Sequence, residues 1–150
     1  MRSLAIYKTN SVLRRDLKVI DVENALIAHI KEGNEEPEHH LEHQFADGLY
    51  VRTITMYKGT LMTGKRHRYR TLNIVLSGSL SVYMEDGSEV TRIDAPHMFI
   101  SEKYIKKLVY MHTDVVFATI HPTEETDVDE LEKLFTVSEE EYAEIIRGEL

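Results

Sequence analysis

The apolar positions divide the chain into three textures. Between residues 11 and 30 they fall at Val12, Leu13, Leu17, Val22, Leu26, Ile27 and Ile30, and from Val22 onward the spacing follows one helix face, with Asp21 placed to cap it. Residues 31–47, KEGNEEPEHHLEHQFAD, lose that period and gather charge, Gly, Asn and Pro, which predicts a long loop lying over the domain. Residues 49–121 consist of short runs of Val, Ile, Tyr, Thr and Met broken at Lys58-Gly59, Ser77-Gly78, Asp86-Gly87 and Ala95-Pro96, the punctuation of strands and turns. Leu80, Val82 and Met84 alternate with Ser79, Ser81 and Tyr83, and Asp86-Gly87 then reverses the chain toward Val90, Arg92 and Ile93, a hairpin signal. Residues 72–76, 105–110 and 114–120 read likewise, so this part predicts about seven or eight strands in a sandwich or small barrel. After Thr123 the helical period returns. Thr126 is placed to cap a run of Val128, Leu131, Leu134 and Phe135. Ser138, three residues before Glu141, opens a second short helix whose face is Tyr142, Ile145 and Ile146.

Composition narrows the class. With 150 residues the chain reads as a single domain: residues 1–47 a helical extension and loop, 48–121 the barrel, 122–150 a helical tail. No cysteine is present, which excludes disulfides, thiolate metal sites and a cysteine nucleophile. Asp and Glu number 26 against 18 Lys and Arg, a formal charge of −8, and this argues against nucleic acid or an anionic membrane as partner. No apolar run approaches the roughly 18 residues of a spanning helix. The expectation is a cytoplasmic protein.

The segment running from Gly64 through Lys65, His67, Arg70 and Thr71 to Gly78 resembles the first motif of the cupin superfamily, in which a glycine precedes an H-x-H pair, a Glu follows and a glycine closes the hairpin. A looser second motif is carried by Gly87, Pro96, Glu102, Tyr104 and Lys107, in the places of G…P-x-G-x-x-H. The resemblance covers about residues 48–121 and looks closest to short uncharacterised cupin-like proteins of bacteria and their phages. It implies a mainly β protein, a double-stranded β-barrel of jelly-roll type with a pocket at one mouth, flanked here by an N-terminal helix and C-terminal helices. It also implies a homo-oligomer, a dimer, since the superfamily pairs sheets edge to edge. Metal-binding cupins hold Fe, Mn, Ni or Zn with three imidazoles and a carboxylate. On that motif Lys65 takes the first His, His67 the second, Thr71 or Arg70 the Glu, and Lys107 the last His, so the expectation is a degenerate site with no metal and no cofactor.

An unbroken strand over residues 65–71 would put Lys65, His67, Tyr69 and Thr71 on one face and Arg66, Arg68 and Arg70 on the other. Lys65, His67, Tyr69, Thr71 and Lys107 are therefore the candidate ligand-binding residues, two cations, an imidazole and two hydroxyls that suit a small anionic or sugar-like molecule. The bland alternative has the lysines reaching solvent and His67 hydrogen-bonding a neighbouring strand. The three arginines are expected to pair within the chain, with the acidic residues 32–42, or with a second subunit. His39, His40 and His43 form an HHxxH cluster that a helical turn would align as metal ligands, but the Glu of HExxH is missing. His97, His112 and His121 fall at strand ends, where a hydrogen-bonded histidine is ordinary. No G-x-S-x-G elbow and no paired carboxylates on barrel strands are present. The leading expectation is a non-enzymatic binding protein with no reaction assignable. Two alternatives stand beside it: a metal-independent sugar isomerase or epimerase using His67 with Tyr69 or Tyr110, and a phage or bacterial assembly factor.

Overall fold

The structure is a computed structural model that describes residues 4–7, 24–25, 28, 31–33, 38–85 and 90–148. Ten strands form two five-stranded antiparallel sheets. One sheet runs β1 (Leu4–Tyr7), β4 (Thr60–Thr63), β10 (Lys107–Met111), β7 (Ser79–Met84), β8 (Thr91–Asp94). The other runs β2 (His39–Ala46), β3 (Leu49–Met56), β11 (Val115–Pro122), β6 (Thr71–Ser77), β9 (His97–Ser101). The short β5 (Arg66–His67) pairs instead with β12 (Thr136–Val137), which separates helices α1 (Val128–Phe135) and α2 (Glu139–Ile146). The expected mainly β, jelly-roll class is the one observed.

Strand periodicity builds the interior. On β3, Tyr50, Arg52, Ile54 and Met56 are buried and the residues between them only half-buried. Ile54 and Met56 meet Met62, Val75, Leu80, Val82, Ile93, Met111 and Val115 in one apolar cluster between the sheets. The expected pairing of β7 with β8 is present, Ser79 opposite Asp94 and Val82 opposite Thr91. On the outside, Leu76, Met98 and Ile100 are 50% or more exposed.

The long loop expected over residues 31–47 is corrected in its second half. Residues 39–46 are strand β2, in register with β3 from His39 opposite Met56 to Ala46 opposite Leu49. Leu41 packs against the core cluster while His40, Glu42 and Gln44 point to solvent, so an edge strand with a charged outer face has the composition of a loop. That strand also puts His39 and His43 on one face without a helical turn, and His43 Nδ1 lies 2.6 Å from the Tyr50 hydroxyl. Most of the expected N-terminal helix lies outside the described residues. Its last turn is present, the Glu32 N–H donating to the Ala28 carbonyl at 3.1 Å.

In the tail, α1 is capped by Asp127, whose carboxylate accepts from the Asp129 and Glu130 amides, one residue later than the Thr126 the pattern indicates. Leu131 and Phe135 are buried, but Leu134 is 46% exposed. Ser138 caps α2 as expected, accepting from the Glu141 amide at 3.0 Å. The Glu141 side chain turns to Arg68 instead of back to the cap.

Between β6 and β7 the chain reverses at Gly78, with φ of +92°. A Cβ there would collide with the Asp114 carbonyl oxygen, so both the backbone angle and the space demand glycine. Gly78→Ala is expected to cost at least about 2 kcal/mol, read as a lower urea midpoint at unchanged slope.

Candidate functional site

A cavity of about 130 Å³ opens between the two sheets at one end of the barrel. Strand register arranges its wall in levels. Lys107, His67 and Ser101 contribute polar groups to it. At one level, Arg52 on β3 stands opposite Thr119 on β11, which stands opposite Asn73 on β6. The next level is apolar: Ile54 opposite Phe117 in one sheet and Val109 opposite Met62 in the other.

Of the residues predicted to bind ligand, Lys65, His67 and Lys107 line this cavity and Tyr69 and Thr71 do not. The reason is that β5 lasts only two residues. The chain leaves the strand after His67, which places Tyr69 outside at 59% exposure and breaks the alternation expected over residues 65–71. Thr71 begins β6, buried, its hydroxyl donating to the Tyr69 carbonyl. Lys65 sits at the rim with its ammonium against Glu132 of α1. The three arginines do not share a free face. Arg66 is buried and bonded to Glu85 and Glu139, Arg68 pairs with Glu141 at 2.5 Å, and Arg70 meets Glu102 at 3.2 Å. The pairing is intramolecular, as expected, and its acids come from the helical tail (Glu139, Glu141) and from barrel loops (Glu85, Glu102) instead of residues 32–42.

Lys107 reaches inward where β10 begins. Its ammonium donates to Ser101 Oγ and lies 4.8 Å from the centre of the Phe99 ring. Burial pulls its pKa down to about 8. Three residues earlier Tyr104 has φ of +66°, the left-handed backbone that favours glycine, at the place where the second motif has its glycine. Ser101 Oγ also accepts from Asn73 Nδ2 at 2.8 Å. With two donors already on that oxygen, the Ser101 hydroxyl proton and the remaining Lys107 N–H groups are left to point elsewhere.

Arg52 is the residue the sequence reading missed. It is 7% exposed, its Nε has no acceptor, and among the described residues no carboxylate pairs with it. The signal was available: on β3 it occupies an inward position between Tyr50 and Ile54, where a charged side chain needs a reason. His121 was missed as well. It is 3% exposed, stacked on Phe135 at 4.1 Å, edge-on to His67 at 5.4 Å, and its Nε2 has no partner among the described residues. His112 is an ordinary bonded histidine, 2.6 Å from Ser81 Oγ.

Electrostatics keep the imidazoles neutral. Burial first, then His121 and the charges of Arg52 and Lys107, push His67 down to about 3. Burial and Arg52 push His121 down to about 4. Both titrate in the unfolded chain near ~6.5, so below that pH the unfolded state binds more protons and stability falls as the pH drops toward 4. The melting temperature is expected to decline over this window, and His121→Phe, which keeps the stack on Phe135, is expected to flatten the decline. An unchanged slope in that variant would count against the assignment.

Neither the acid–base pair nor the metal set suggested by the resemblance is assembled. Tyr69 is outside, and the Tyr110 ring lies against His112 at 5.0 Å, away from His67. His67 and His121 approach each other, but among the described residues no group of three His, Asp or Glu side chains converges. Glu102, at the rim, is engaged with Arg70. Arg52 and Lys107 add two positive charges where a dication would sit, each unit pair at ~4 Å opposing it by on the order of 4 kcal/mol at an effective dielectric near 20. These residues do not fit a divalent metal. Protein purified without chelator and freed of any tag is expected to carry well under one equivalent of Fe, Mn, Ni, Cu or Zn, and EDTA to leave its melting temperature unchanged.

No protein-family model matches the chain, and no curated protein matches it. Solved structures do. The chain is similar to salicylate 1,2-dioxygenase from Pseudaminobacter salicylatoxidans at 15% identity and TM-score 0.53, over 78% of this chain and 35% of that one, so it spans about a third of the dioxygenase. It is also similar to a putative ethanolamine utilization protein Q from Salmonella typhimurium (16% identity, TM-score 0.49, 63% of this chain and 76% of that one). A cupin superfamily protein from Desulfitobacterium hafniense matches at 7% identity and TM-score 0.47, over 61% of this chain and 83% of that one. The likeness to the dioxygenase is one of fold, the cupin-type jelly-roll barrel described above. No helix among the described residues is long and apolar enough to cross a membrane.

Proposed function

We propose that this cupin-fold protein binds a small anion in its barrel through Arg52 and Lys107, with His67, Ser101 and Thr119 completing the polar collar. The observation that carries the reading is the buried side chain of Arg52, whose Nε has no acceptor and which has no carboxylate partner among the described residues. Burying a charge without a counter-ion costs several kcal/mol, and the nearest relief available in this fold is an anion in the cavity that Arg52 lines. Lys107, from the facing sheet, and the Ser101 hydroxyl line the same cavity, so the collar offers more donors than acceptors and carries two positive charges. The reading differs from the sugar-like ligand kept open above in one respect: a neutral polyol would leave both cations uncompensated. It assigns no reaction, because His67 is held neutral and has neither carboxylate nor tyrosine to relay a proton.

Sodium acetate, benzoate and phosphate, each against chloride at constant ionic strength, are the probes. At least one is expected to raise the melting temperature of the wild type, and Arg52→Met to abolish that rise while leaving the unliganded protein at least as stable. Binding is expected to be level below pH 8 and to weaken by up to tenfold per unit above it, as the Lys107 ammonium with its pKa of about 8 loses its proton. A flat thermal response to all three anions would overturn the reading.

A further inference from the structure

We infer that the anion is an amphipathic monocarboxylate, a carboxylate carrying an apolar tail of about four to six carbons or a single ring, with the carboxylate at Arg52 and the tail directed toward Phe117. This rests on the anion-binding reading above and specifies its ligand. Strand register sorts the cavity wall by chemical character. Moving inward along β3, each inward-facing position is two residues on: Arg52, then Ile54, then Met56. The partner strand moves in step, Thr119 opposite Arg52, Phe117 opposite Ile54, Val115 opposite Met56. The facing sheet repeats the change of character, Lys107 giving way two residues on to Val109, which stands opposite Met62. Each sheet therefore switches from cationic to apolar at its next inward position. Past Arg52 and Lys107 the cavity-lining residues turn apolar, so the hydroxyls of a sugar phosphate would be buried there without partners, whereas an apolar tail would be matched.

Size sets the other bound. At about 130 Å³ the cavity is close to the ~150 Å³ apolar cavity that takes up benzene in an engineered lysozyme, which is room for one ring or a short chain. The inner end of the cavity, walled by Ile54, Phe117, Val109 and Met62, offers water few polar partners. An apolar tail recovers the contacts that water there cannot make.

Isothermal titration of the wild-type chain at pH 7 with acetate, propionate, butyrate, pentanoate and benzoate, and with inorganic phosphate and benzamide, tests this without any substitution. The dissociation constant is expected to fall about fourfold per added methylene, the value of ~0.8 kcal/mol per buried CH₂, until the cavity is full. Benzoate is expected to bind at least about tenfold more tightly than benzamide, which keeps the ring and lacks the charge. Phosphate or acetate binding as tightly as pentanoate and benzoate would overturn the amphipathic inference and leave the anion reading standing. Benzamide equal to benzoate would sink the anion reading itself, and no binding by any probe would sink both.

Discussion

Arg66 is 4% exposed, and a guanidinium taken that far from water persists only where its donors find acceptors and its charge finds counter-charges. Here Nε donates to Glu139 at 2.9 Å, Nη1 to Glu85 at 2.5 Å and to the Tyr104 carbonyl at 2.7 Å, and Nη2 to the second oxygen of Glu85 at 2.8 Å. The guanidinium also lies 3.9 Å from the centre of the Tyr142 ring. Each contact belongs to a different piece of chain: Glu85 follows β7, Tyr104 sits in the loop between β9 and β10, and Glu139 and Tyr142 are on α2. Around this one group the barrel rim, the loop leading to Lys107 and the tail become a single body. Lys106, 3% exposed and 3.2 Å from Glu139, reinforces it from the adjacent position. The backbone follows, with the His67 carbonyl accepting from the Tyr104 amide at 2.8 Å and the Arg68 amide donating to the Phe135 carbonyl at 2.7 Å. His67 is thereby fixed between the loop and β12, so its imidazole has a defined place at the cavity mouth.

Two buried arginines thus meet opposite fates in one small barrel. Arg66 has two carboxylates, a carbonyl and an aromatic face; Arg52 has none of these among the described residues. A sequence that satisfies one guanidinium so fully has the means to satisfy the other, which makes the bare one informative. Local violations of otherwise consistent packing gather where a molecule does something beyond folding.

Strand alternation and turn punctuation made the barrel legible between residues 49 and 121, because half-buried strands leave a period-two signature. They failed at β2, where His39, Leu41 and His43 face inward but two of the three are histidines, so hydropathy alone finds no inward face. They failed again after His67, since nothing in the run of basic residues from Lys65 to Arg70 announces that the strand stops in two residues. What stops it is tertiary: β5 has β12 as its ladder partner, and β12 is two residues long. Lys107 was reached through the motif, and Tyr104 at positive φ supports that register. Arg52 lay outside both motifs and had to be found by asking which face of β3 it occupies. The pairing of Arg66 and Arg68 with Glu139 and Glu141 could not be read from sequence, because 73 residues separate each pair and an acidic first turn is sufficiently explained by the helix dipole.

That separation also bears on the order in which the molecule can be made. A chain emerging from the ribosome can pair β3 with β2 and β7 with β8 as soon as those neighbours are out, since each is a short-range hairpin. The rim around His67 has no such local partner. It waits for Thr136 and Val137 to supply the other half of its ladder and for Glu139 to neutralise Arg66, which comes after nearly the whole barrel has left the exit tunnel. The cavity mouth is therefore completed late in synthesis, and until then Arg66 has Glu85 but not Glu139 as its counter-charge.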